Sequence, residues 1–348
     1  MPWLFTLFSE YKTFDAVFCV KSLLILLKRM VNVMEFFIQV ILLITGFAAL
    51  IKGADFFVDG ASGVAAKFGI PQIIIGLTIC AFGTSAPEAA VSINSALNDS
   101  AGLAVGNVVG SNIMNVLLIL GITALIRPLK MQLSTYKYEL PFVMFSTVLM
   151  AVLGYFGGEL SFIDGIILWV FMIAFLAYLF IMAKKGKTSL VDMTEEDEKP
   201  KPVWLLVILI ILGGAMIVIG SDLTVDSATY IAQKFGMSER LIGLTIVAFG
   251  TSLPELVTSV IAAKKGNCDI AIGNIIGSNI FNILFILGTT SLITAVPFAI
   301  NFLTDSIVAL AALIILFILA SNKDKTVKRW GGAVMLAFYA AYFAYLVA

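Results

Sequence analysis

Histidine is absent from the 348-residue sequence, and cysteine and charged residues are scarce. Without histidine the chain lacks the commonest transition-metal ligand and the commonest proton shuttle near neutral pH. The three cysteines, Cys19, Cys80 and Cys268, lie far apart without metal-site spacing, so they are expected to be unpaired apolar residues. The net charge is zero and no basic patch is present, which gives nucleic-acid binding no support. No nucleotide motif and no nucleophile–base arrangement occurs either, so neither an enzyme nor a cofactor is expected.

Apolar residues, by contrast, make up 60% of the chain, charged residues only 13%, and the mean hydropathy is +1.05. A soluble domain of this length could not bury so much apolar surface, so lipid must surround most of the chain. Ten mostly apolar runs reach about 20 residues, the length that crosses a bilayer. They lie near 35–65, 71–98, 102–126, 138–157, 161–183, 203–232, 238–264, 269–295, 302–321 and 328–347. The sequence therefore predicts an all-α integral membrane protein with ten transmembrane helices.

The loops between these runs predict the orientation of the chain. Lysine and arginine are concentrated on one side of the membrane, for example at Lys67, Arg127 and Lys264, whereas the other side has Lys234 and Arg240. By the positive-inside rule the basic side is cytoplasmic, and both ends of the ten-helix core then face outward. We expect the protein to lie in the plasma (inner) membrane. The sequence gives no indication of an oligomeric state.

Four regions are expected along the chain. They are an N-terminal extension over 1–33, a first five-helix unit over 34–183, a charged cytoplasmic linker over 184–202 and a second five-helix unit over 203–348. The extension carries basic residues ahead of a span that should start outside, and its own apolar run is too short to cross a bilayer. We therefore expect translation to begin at Met30 or Met34.

The two five-helix units are copies of one another at an offset of 167 residues. The segments 76–121 and 243–288 align without a gap and share 25 of 46 residues. A unit with an odd number of spans enters the membrane from the opposite side in its second copy, which makes an inverted repeat, common among secondary transporters. The shared residues are concentrated among polar and acidic side chains, which are costly in lipid and so indicate function rather than packing alone.

Each copy carries the motif Gly-Thr-Ser-x-Pro-Glu in the middle of a span, over 83–88 and 250–255. Proline lacks a backbone N–H and clashes with the preceding turn, so each of these core helices is expected to break there and to free carbonyl groups. Hydroxyl groups and one carboxylate, Glu88 or Glu255, stand beside those carbonyls. Such an all-oxygen set is what Na⁺ and Ca²⁺ prefer.

A second motif, Gly-Ser-Asn-Ile-x-Asn, follows in each copy, over 110–115 and 277–282. Its serine and its last asparagine are four residues apart, so they share one face of a helix and can add hydroxyl and amide oxygens to the same site. The pairs are Ser111 with Asn115 and Ser278 with Asn282.

Glu88 and Glu255 are the centre of the prediction. No lysine or arginine occurs at comparable depth in any predicted span, so neither carboxylate is expected to pair with a base. Two carboxylates in one site repel each other at low dielectric, and one Ca²⁺ or several Na⁺ would relieve that repulsion. The sequence thus predicts that Ca²⁺ and Na⁺ compete for a single site.

The two motifs, each present twice at a fixed offset, resemble those of the calcium/cation antiporter superfamily, specifically the membrane region of sodium/calcium exchangers in their compact prokaryotic form. The resemblance covers residues 34–348. It implies two inverted five-helix halves with broken core helices, ion sites at mid-membrane and exchange of Ca²⁺ for Na⁺ by alternating access. It implies Ca²⁺ ligation by Glu88 and Glu255 with the carbonyls of Thr84 and Thr251. For Na⁺ it implies the same glutamates with Ser85, Ser252, Ser111, Ser278 and the carbonyls of Ala81 and Ala248, with Asn115 and Asn282 at the middle position.

One residue departs from part of that superfamily. In K⁺-dependent relatives the last residue of the second copy of this motif is aspartate, whereas here it is Asn282. The resemblance therefore implies K⁺-independent exchange. With two negative charges in the site, one Ca²⁺ would neutralise it and three Na⁺ would leave it positive.

Besides a non-transporting membrane scaffold, which would leave the buried glutamates unexplained, two other functions stay open from the sequence. The first is a Ca²⁺/H⁺ exchanger in which Glu88 and Glu255 take up protons, although the hydroxyls beside them argue for Na⁺. The second is a passive channel, which can also be built from inverted repeats with broken helices. A central site with paired carboxylates would bind cations too tightly for fast passage through a channel.

Overall fold

The protein is described here by a computed structural model covering residues 3–97, 101–186, 201–236 and 248–347, with side chains described from Met30 onward except at positions 32, 185, 186, 248 and 347. Almost all of these residues are helical. The helices are α1 (Trp3–Phe68), α2 (Gln72–Thr84), α3 (Ala86–Leu97), α4 (Gly102–Ile126), α5 (Thr135–Gly157), α6 (Phe162–Gly186), α7 (Val203–Lys234), α8 (Ala248–Thr251), α9 (Leu253–Lys264), α10 (Cys268–Ile293), α11 (Ile300–Leu319) and α12 (Arg329–Val347).

The predicted all-α membrane fold is confirmed. Among the described helices, seven are long and apolar enough to cross a membrane, and the bent pair α2–α3 makes an eighth span. The remaining predicted spans correspond to α8–α9, whose preceding residues 237–247 lie outside the described ones, and to α12. The described helices are therefore consistent with the predicted ten.

The boundaries of the predicted regions are only partly visible. Helix α1 includes most of the expected extension over 1–33, and its apolar spanning part, Val33–Phe68, starts close to the expected beginning of the first unit. Most of the expected linker over 184–202 lies outside the described residues. The division into four regions stays a prediction.

The helices differ in how much of their surface other helices cover, so that some form a central group and others a peripheral one. Helices α4 and α10, which carry the second motif, are largely covered by other helices, whereas most residues in the apolar parts of α1, α6, α7 and α11 are not buried. This distribution follows from composition, because α4 and α10 contain the glycine, serine and asparagine residues that other helices can cover and lipid solvates poorly.

Short strands link the two halves with the symmetry of the repeat. They are β1 (Leu129–Lys130), β2 (Glu159–Leu160), β3 (Val296–Pro297) and β4 (Thr326–Val327). Strand β1 pairs antiparallel with β4, and β2 pairs antiparallel with β3. The two pairs are related residue for residue by the repeat offset of 167. Leu129 of the first half corresponds to Val296 of the second, and Val327 of the second half corresponds to Leu160 of the first. Each half thus supplies a strand to the other around a pseudo-twofold axis.

Helices α1 and α7 cross at the same axis with glycines at the contact. A Cβ atom on Gly53 would lie 2.9 Å from the carbonyl oxygen of Gly213, and one on Gly213 would lie 2.6 Å from that of Gly53. Gly46 and Gly220 show the same reciprocal approach, at 2.9 and 2.8 Å. Along α1 from Gly46 to Gly53, the contacting residue on α7 moves back from Gly220 to Gly213. The two helices therefore run antiparallel, as an inverted repeat requires. Small residues let the backbones approach this closely.

Replacing Gly213 by valine is expected to destabilise the fold, because the new side chain must push α1 away from α7. Overpacking of this kind costs about 1–3 kcal/mol. Thermal denaturation of the purified protein in detergent should show a lower Tm. The neighbouring Gly214→Ala is the control, since a Cβ there would lie 3.6 Å from the Phe57 ring, an ordinary contact. Equal losses of stability in the two variants would contradict the importance of the close crossing.

Candidate ion-binding site

The first motif breaks a helix in each half, as the sequence predicts. Helices α2 and α3 meet at Ser85 with a bend of 49°. Ser85 and Ser252, the break residues of the two copies, have nearly the same backbone conformation, with φ and ψ of −84° and 8° in the first and −93° and 5° in the second. This bridge region of backbone space is where many active-site residues lie. The break places the following glutamate in the first turn of a new helix.

The prolines change which carbonyl groups are available. Pro87 lacks the N–H that would bond to the carbonyl of Gly83, and Pro254 lacks the one for Gly250. In the second half the Ser221 hydroxyl donates to the Gly250 carbonyl at 2.9 Å. Ala81 differs from the expectation of a freed carbonyl, because its oxygen accepts the backbone N–H of Ser85 at 3.0 Å. It can still offer its second lone pair to an ion.

The two glutamates of the first motif are fully buried, each with 0% of its surface exposed. The Ser85 hydroxyl donates to Oε1 of Glu255 at 2.8 Å, and the Ser252 hydroxyl donates to Oε1 of Glu88 at 3.3 Å. The serine of each motif therefore serves the carboxylate of the other. This reciprocal exchange brings the two copies together, although they are 167 residues apart in the chain.

The asparagines of the second motif form a matching reciprocal set. Asn112 Nδ2 donates to the backbone carbonyl of Asn279, and Asn279 Nδ2 donates to the backbone carbonyl of Asn112, both at 3.2 Å. Asn115 Nδ2 donates to the side-chain oxygen of Asn279 at 3.0 Å, and Asn282 Nδ2 donates to that of Asn112 at 3.1 Å. Because the amide nitrogens of Asn115 and Asn282 are engaged in this way, the orientation of both amides is fixed.

A π-helical turn begins at each of these terminal asparagines, over Asn115–Ile119 in α4 and Asn282–Leu287 in α10. Single π turns inside α-helices are frequent at functional sites, since they shift the hydrogen-bond ladder by one residue. Their occurrence at equivalent positions shows that both halves use the same local backbone to present the asparagine.

Several buried oxygens around this centre have no hydrogen-bond partner among the described residues. They are Oε2 of Glu88 and Glu255, Oδ1 of Asn115 and Asn282, and Oγ of Ser278. Unsatisfied buried polar atoms are rare and each calls for an explanation such as an ion. Carboxylate, amide and hydroxyl oxygens are the ligands of hard cations, so this set is suited to Na⁺ or Ca²⁺.

The other predicted residues differ in burial and in hydrogen bonding. Ser111 is buried in α4, and Thr251 is half-buried at the end of α8. The single Thr84 hydroxyl proton is within hydrogen-bonding distance of the Cys80 carbonyl, at 3.0 Å, and of Asn274 Oδ1, at 3.1 Å. The predicted role of Thr84 uses its backbone carbonyl and does not involve this proton. Ala248 begins α8, and its side chain lies outside the described ones.

A supporting set of polar residues around the centre was not predicted from the sequence. Asn107 Nδ2 donates to the Ser92 hydroxyl at 3.0 Å, and in the second half Asn274 Nδ2 donates to Ser259 at 3.1 Å. Asn107 also donates to the backbone carbonyl of Glu88 at 3.3 Å. These residues and the Asn112–Asn279 pair are identical in the two copies, and that identity was a usable signal.

No basic side chain of the described residues neutralises the two glutamates of the site. Neither Glu88 nor Glu255 forms an ion pair with a lysine or arginine in the part of the chain that the structure describes. Removing a carboxylate from water costs several kcal/mol unless it is paired, and two such groups in one site repel each other as well. Cations bound at the centre would offset both penalties.

On the side of the molecule with the basic loops, polar contacts join α1 to the loop that follows α9. Lys265, just after α9, places its Nζ 2.6 Å from carboxylate oxygens of both Asp55 and Asp59 on α1. Two residues later, Asn267 Nδ2 donates to the Ser62 hydroxyl at 2.7 Å. These contacts join the end of the first helix of one half to the loop that follows α9 in the other half.

Comparison with known proteins places this geometry in context. The family model described as "Sodium/calcium exchanger protein" matches residues 38–181 and 205–348. The chain is 34% identical over 357 residues to Sodium/calcium exchanger MaX1 of Methanosarcina acetivorans, covering 89% of this chain and 98% of that protein. It is 42% identical over 258 residues to Inner membrane protein YrbG of Escherichia coli (strain K12), covering 73% and 79%.

The fold is also similar to a solved structure. The sodium-calcium exchanger NCX_Mj soaked with 10 mM Na⁺ and zero Ca²⁺ matches with a TM-score of 0.77 and 33% sequence identity, covering 89% of this chain and 99% of that one. The similarity therefore extends over both halves rather than over the motifs alone.

Asn112→Ala is expected to weaken Ca²⁺ binding, because it removes the acceptor that holds the Asn282 amide and the partner of Asn279. A net loss of about 1–1.5 kcal/mol for a buried hydrogen bond corresponds to roughly tenfold in affinity. Titration calorimetry of Ca²⁺ into the purified protein would measure it. Asn322→Ala is the control, since Asn322 donates to the backbone carbonyls of Leu319 and Thr326. Unchanged affinity in Asn112→Ala would exclude the positioning role.

Proposed function

Because the chain belongs to the sodium/calcium exchanger protein family, we propose that it exchanges Ca²⁺ for Na⁺ at one site shared by its two halves. It is an integral membrane transporter of the cation antiporter type and not an enzyme, and the ions are its substrates rather than cofactors. The observation that supports the finer proposal most directly is the pair of buried glutamates, each with an oxygen that lacks a partner among the described residues.

Charge explains why one site can serve both ions in turn. Two carboxylates give the centre a charge of −2, so occupancy by one Ca²⁺ or by two Na⁺ neutralises it, and a third Na⁺ would leave it with one positive charge. An empty centre would leave both carboxylates desolvated, which is the costly state. The chain would therefore rearrange readily with either set of ions bound and reluctantly with none. This difference is what couples the movement of one ion to the movement of the other.

We assign the ligands as follows. Glu88 and Glu255 are used by both ions, and the carbonyls of Thr84 and Thr251 complete the Ca²⁺ set. The Na⁺ set adds the hydroxyls of Ser85, Ser252, Ser111 and Ser278 and the carbonyls of Ala81 and Ala248. The side-chain oxygens of Asn115 and Asn282 occupy the middle position of the site.

Na⁺ rather than H⁺ is supported by the oxygens that accompany the carboxylates. A proton needs only one carboxylate oxygen, whereas a metal ion needs several oxygens around it. The buried Ser278 hydroxyl and the two terminal asparagine oxygens have no partner among the described residues, so they are suited to a metal ion. Proton-coupled exchange is the second candidate, since both glutamates can also be protonated.

K⁺-independent exchange is supported by Asn282. Its Nδ2 donates to Asn112 at 3.1 Å, so it presents a neutral amide oxygen to the centre and adds no third negative charge. A centre with only two carboxylates has less charge with which to hold an additional K⁺.

The contacts of Lys265 support a role in alternating access. Lys265 closes the basic side, which we propose to be cytoplasmic, with both ends of the ten-helix core facing out of the plasma (inner) membrane. At the repeat offset the aspartates on α1 correspond to Asp222 and Asp226 on α7, but Lys265 corresponds to Asn98. The two sides of the membrane therefore differ in charge, and the ion pairs stabilise closure on one side.

The test of the exchange mechanism is Ca²⁺ uptake into proteoliposomes that contain the purified protein. The vesicles are loaded with Na⁺, K⁺ or choline, each with and without a pH gradient. Uptake that requires an outward Na⁺ gradient is expected. Uptake driven by the pH gradient alone would replace this proposal with Ca²⁺/H⁺ exchange, and uptake without any gradient of a counter-ion would indicate a channel.

Glu255→Gln is expected to abolish most exchange in that assay, because it keeps the shape of the side chain and removes half of the charge of the centre. Loss of a charged contact of about 1.5–3 kcal/mol predicts a decrease of roughly ten- to a hundredfold. Glu88→Gln should behave alike by symmetry. Asp305→Asn, which changes a half-buried carboxylate on α11, is the control. Exchange at the wild-type rate in either glutamine variant would exclude a shared site.

Asn282→Asp is expected to change the dependence on monovalent ions, since it adds a third carboxylate to the centre. Ca²⁺ uptake should become sensitive to K⁺ or should shift in its Na⁺ dependence. Asn322→Asp adds the same charge far from the centre as a control. If the K⁺ and Na⁺ dependence of Asn282→Asp matched that of the wild type, this position would have no part in ion selection.

Lys265→Gln is expected to favour the conformation that is open toward the basic side. Partly exposed ion pairs contribute about 1 kcal/mol, which corresponds to roughly a fivefold shift in a two-state population. Ca²⁺ dependence measured separately on the two faces of oriented vesicles should shift on both faces, in opposite directions. Lys264→Gln is the matched control, because Lys264 forms no ion pair among the described residues. An effect of equal size in both variants would argue for nonspecific charge.

A further inference from the structure

A third fully buried glutamate among the described residues lies outside the exchange centre. Glu139 is 0% exposed and stands in the first turns of α5. The Tyr178 hydroxyl of α6 donates to its Oε1. Its other oxygen, Oε2, is buried and has no hydrogen-bond partner in the described part of the chain. The proposed exchange makes no use of this carboxylate.

Two hydroxyl groups lie near Glu139. Ser134 Oγ is a buried atom without a partner among the described residues, and the buried Thr135 hydroxyl interacts only with the Glu139 carboxylate itself. The segment Thr135–Glu139 is a π turn, in which hydrogen bonds join residues five apart. Positions four and five residues before Glu139 therefore both lie one turn below it, and these positions are Thr135 and Ser134. A carboxylate oxygen and two hydroxyl oxygens are thus grouped on one face of one turn.

No basic side chain of the described residues is paired with Glu139. Lys137, in the same turn, is exposed. Lys184 of α6 lies over the Phe180 ring at 4.5 Å, and Lys325 lies over the Tyr136 ring at 3.9 Å. An isolated buried carboxylate is costly, and in this environment something other than a lysine or arginine must neutralise it.

A comparable acid in the other half shows what is special about Glu139. On α11, Asp305 accepts a hydrogen bond from the Tyr342 hydroxyl of α12 at 3.0 Å, which is the same acid–tyrosine arrangement between equivalent helices. Asp305 is only half-buried, and neither of its oxygens is buried without a partner. The demand for an additional neutralising group therefore arises at Glu139 and not at Asp305.

We propose that Glu139 Oε2, together with the hydroxyls of Ser134 and Thr135, binds a monovalent metal cation of the size and hardness of Na⁺. One positive charge matches the single carboxylate, whereas a divalent ion would leave a net charge in a low-dielectric site. Carboxylate and hydroxyl oxygens are hard ligands. A proton would occupy one carboxylate oxygen and would leave the hydroxyls as they are, but a metal ion contacts all three groups.

The position of the site gives the ion a structural effect. Glu139 is bonded to α6 through Tyr178, and α6 is bonded to α10 through Trp169, whose Nε1 donates to the Thr289 hydroxyl at 3.2 Å. A cation at Glu139 would therefore stabilise the packing of α5 and α6 beside α10, the helix that carries Ser278 and Asn282. Stability of the fold should then depend on Na⁺ even when the exchange centre cannot bind it.

The experiment uses the full chain with Glu88→Gln and Glu255→Gln, so that its result does not depend on the proposed exchange. Equilibrium binding of radioactive Na⁺ and thermal denaturation in NaCl or choline chloride are measured in this background. We expect one saturable Na⁺ per chain and a higher Tm in NaCl. Adding Glu139→Gln should remove both effects, Thr135→Val should weaken the binding about tenfold, and Asp305→Asn should preserve both effects.

Three results would overturn the proposal. The first is Na⁺ binding and Na⁺-dependent stability that are the same with and without Glu139→Gln. The second is an equal loss in Asp305→Asn, which would indicate a general effect of acidic residues. The third is an infrared band of a protonated carboxylic acid that Glu139→Gln removes, since Glu139 would then hold a proton. If Glu139→Gln does not fold, normal Na⁺ affinity in Thr135→Val has the same force.

Discussion

Two carboxylates held in the middle of a membrane protein, without a basic partner among the described residues, are the constraint on which the rest of this structure depends. Glu88 and Glu255 are tolerable at 0% exposure only if other groups share their charge. The broken helices bring them into first turns, where backbone N–H groups favour negative charge. The serine of each motif donates to the opposite glutamate. In the proposed mechanism, transported ions neutralise the remaining charge.

The inverted repeat makes this arrangement equivalent from both sides of the membrane. Each contact at the centre has a counterpart at the repeat offset, such as the reciprocal bonds of Asn112 and Asn279. A site with this symmetry has no built-in preference for either side. A preference must come from residues that break the symmetry, and Lys265 with its two aspartates is one such group. In the proposed mechanism the centre provides ion selection, while the peripheral differences between the halves bias access.

Much of the fold could be predicted because membrane spans are coded by length and composition. The runs near 203–232 and 302–321 correspond closely to Val203–Lys234 and Ile300–Leu319. The breaks at Ser85 and Ser252 followed from the chemistry of proline. The π turns at Asn115 and Asn282 could not be predicted, since apolar periodicity does not distinguish them from ordinary helix turns in a buried segment.

Contacts between distant residues were the other limit of the sequence. The glutamates could be named as candidates because an unpaired acid in lipid is exceptional. The pairing of Ser85 with Glu255, rather than with Glu88 of its own motif, depends on how the halves meet. The same is true of Lys265 and Asp55. The repeat offset identified which residues are equivalent, but equivalence alone does not specify which of them touch.

The crossed strands have a consequence for the ancestry of the chain. Strand β1 of the first half is completed by β4 of the second, and β2 by β3, so neither half has a paired partner for its own strands. A single half made alone would present two unpaired strand edges and could satisfy them by meeting a second copy in the opposite orientation. The strand register is the one that an antiparallel homodimer of such halves would form, and gene duplication followed by fusion would preserve it within one polypeptide.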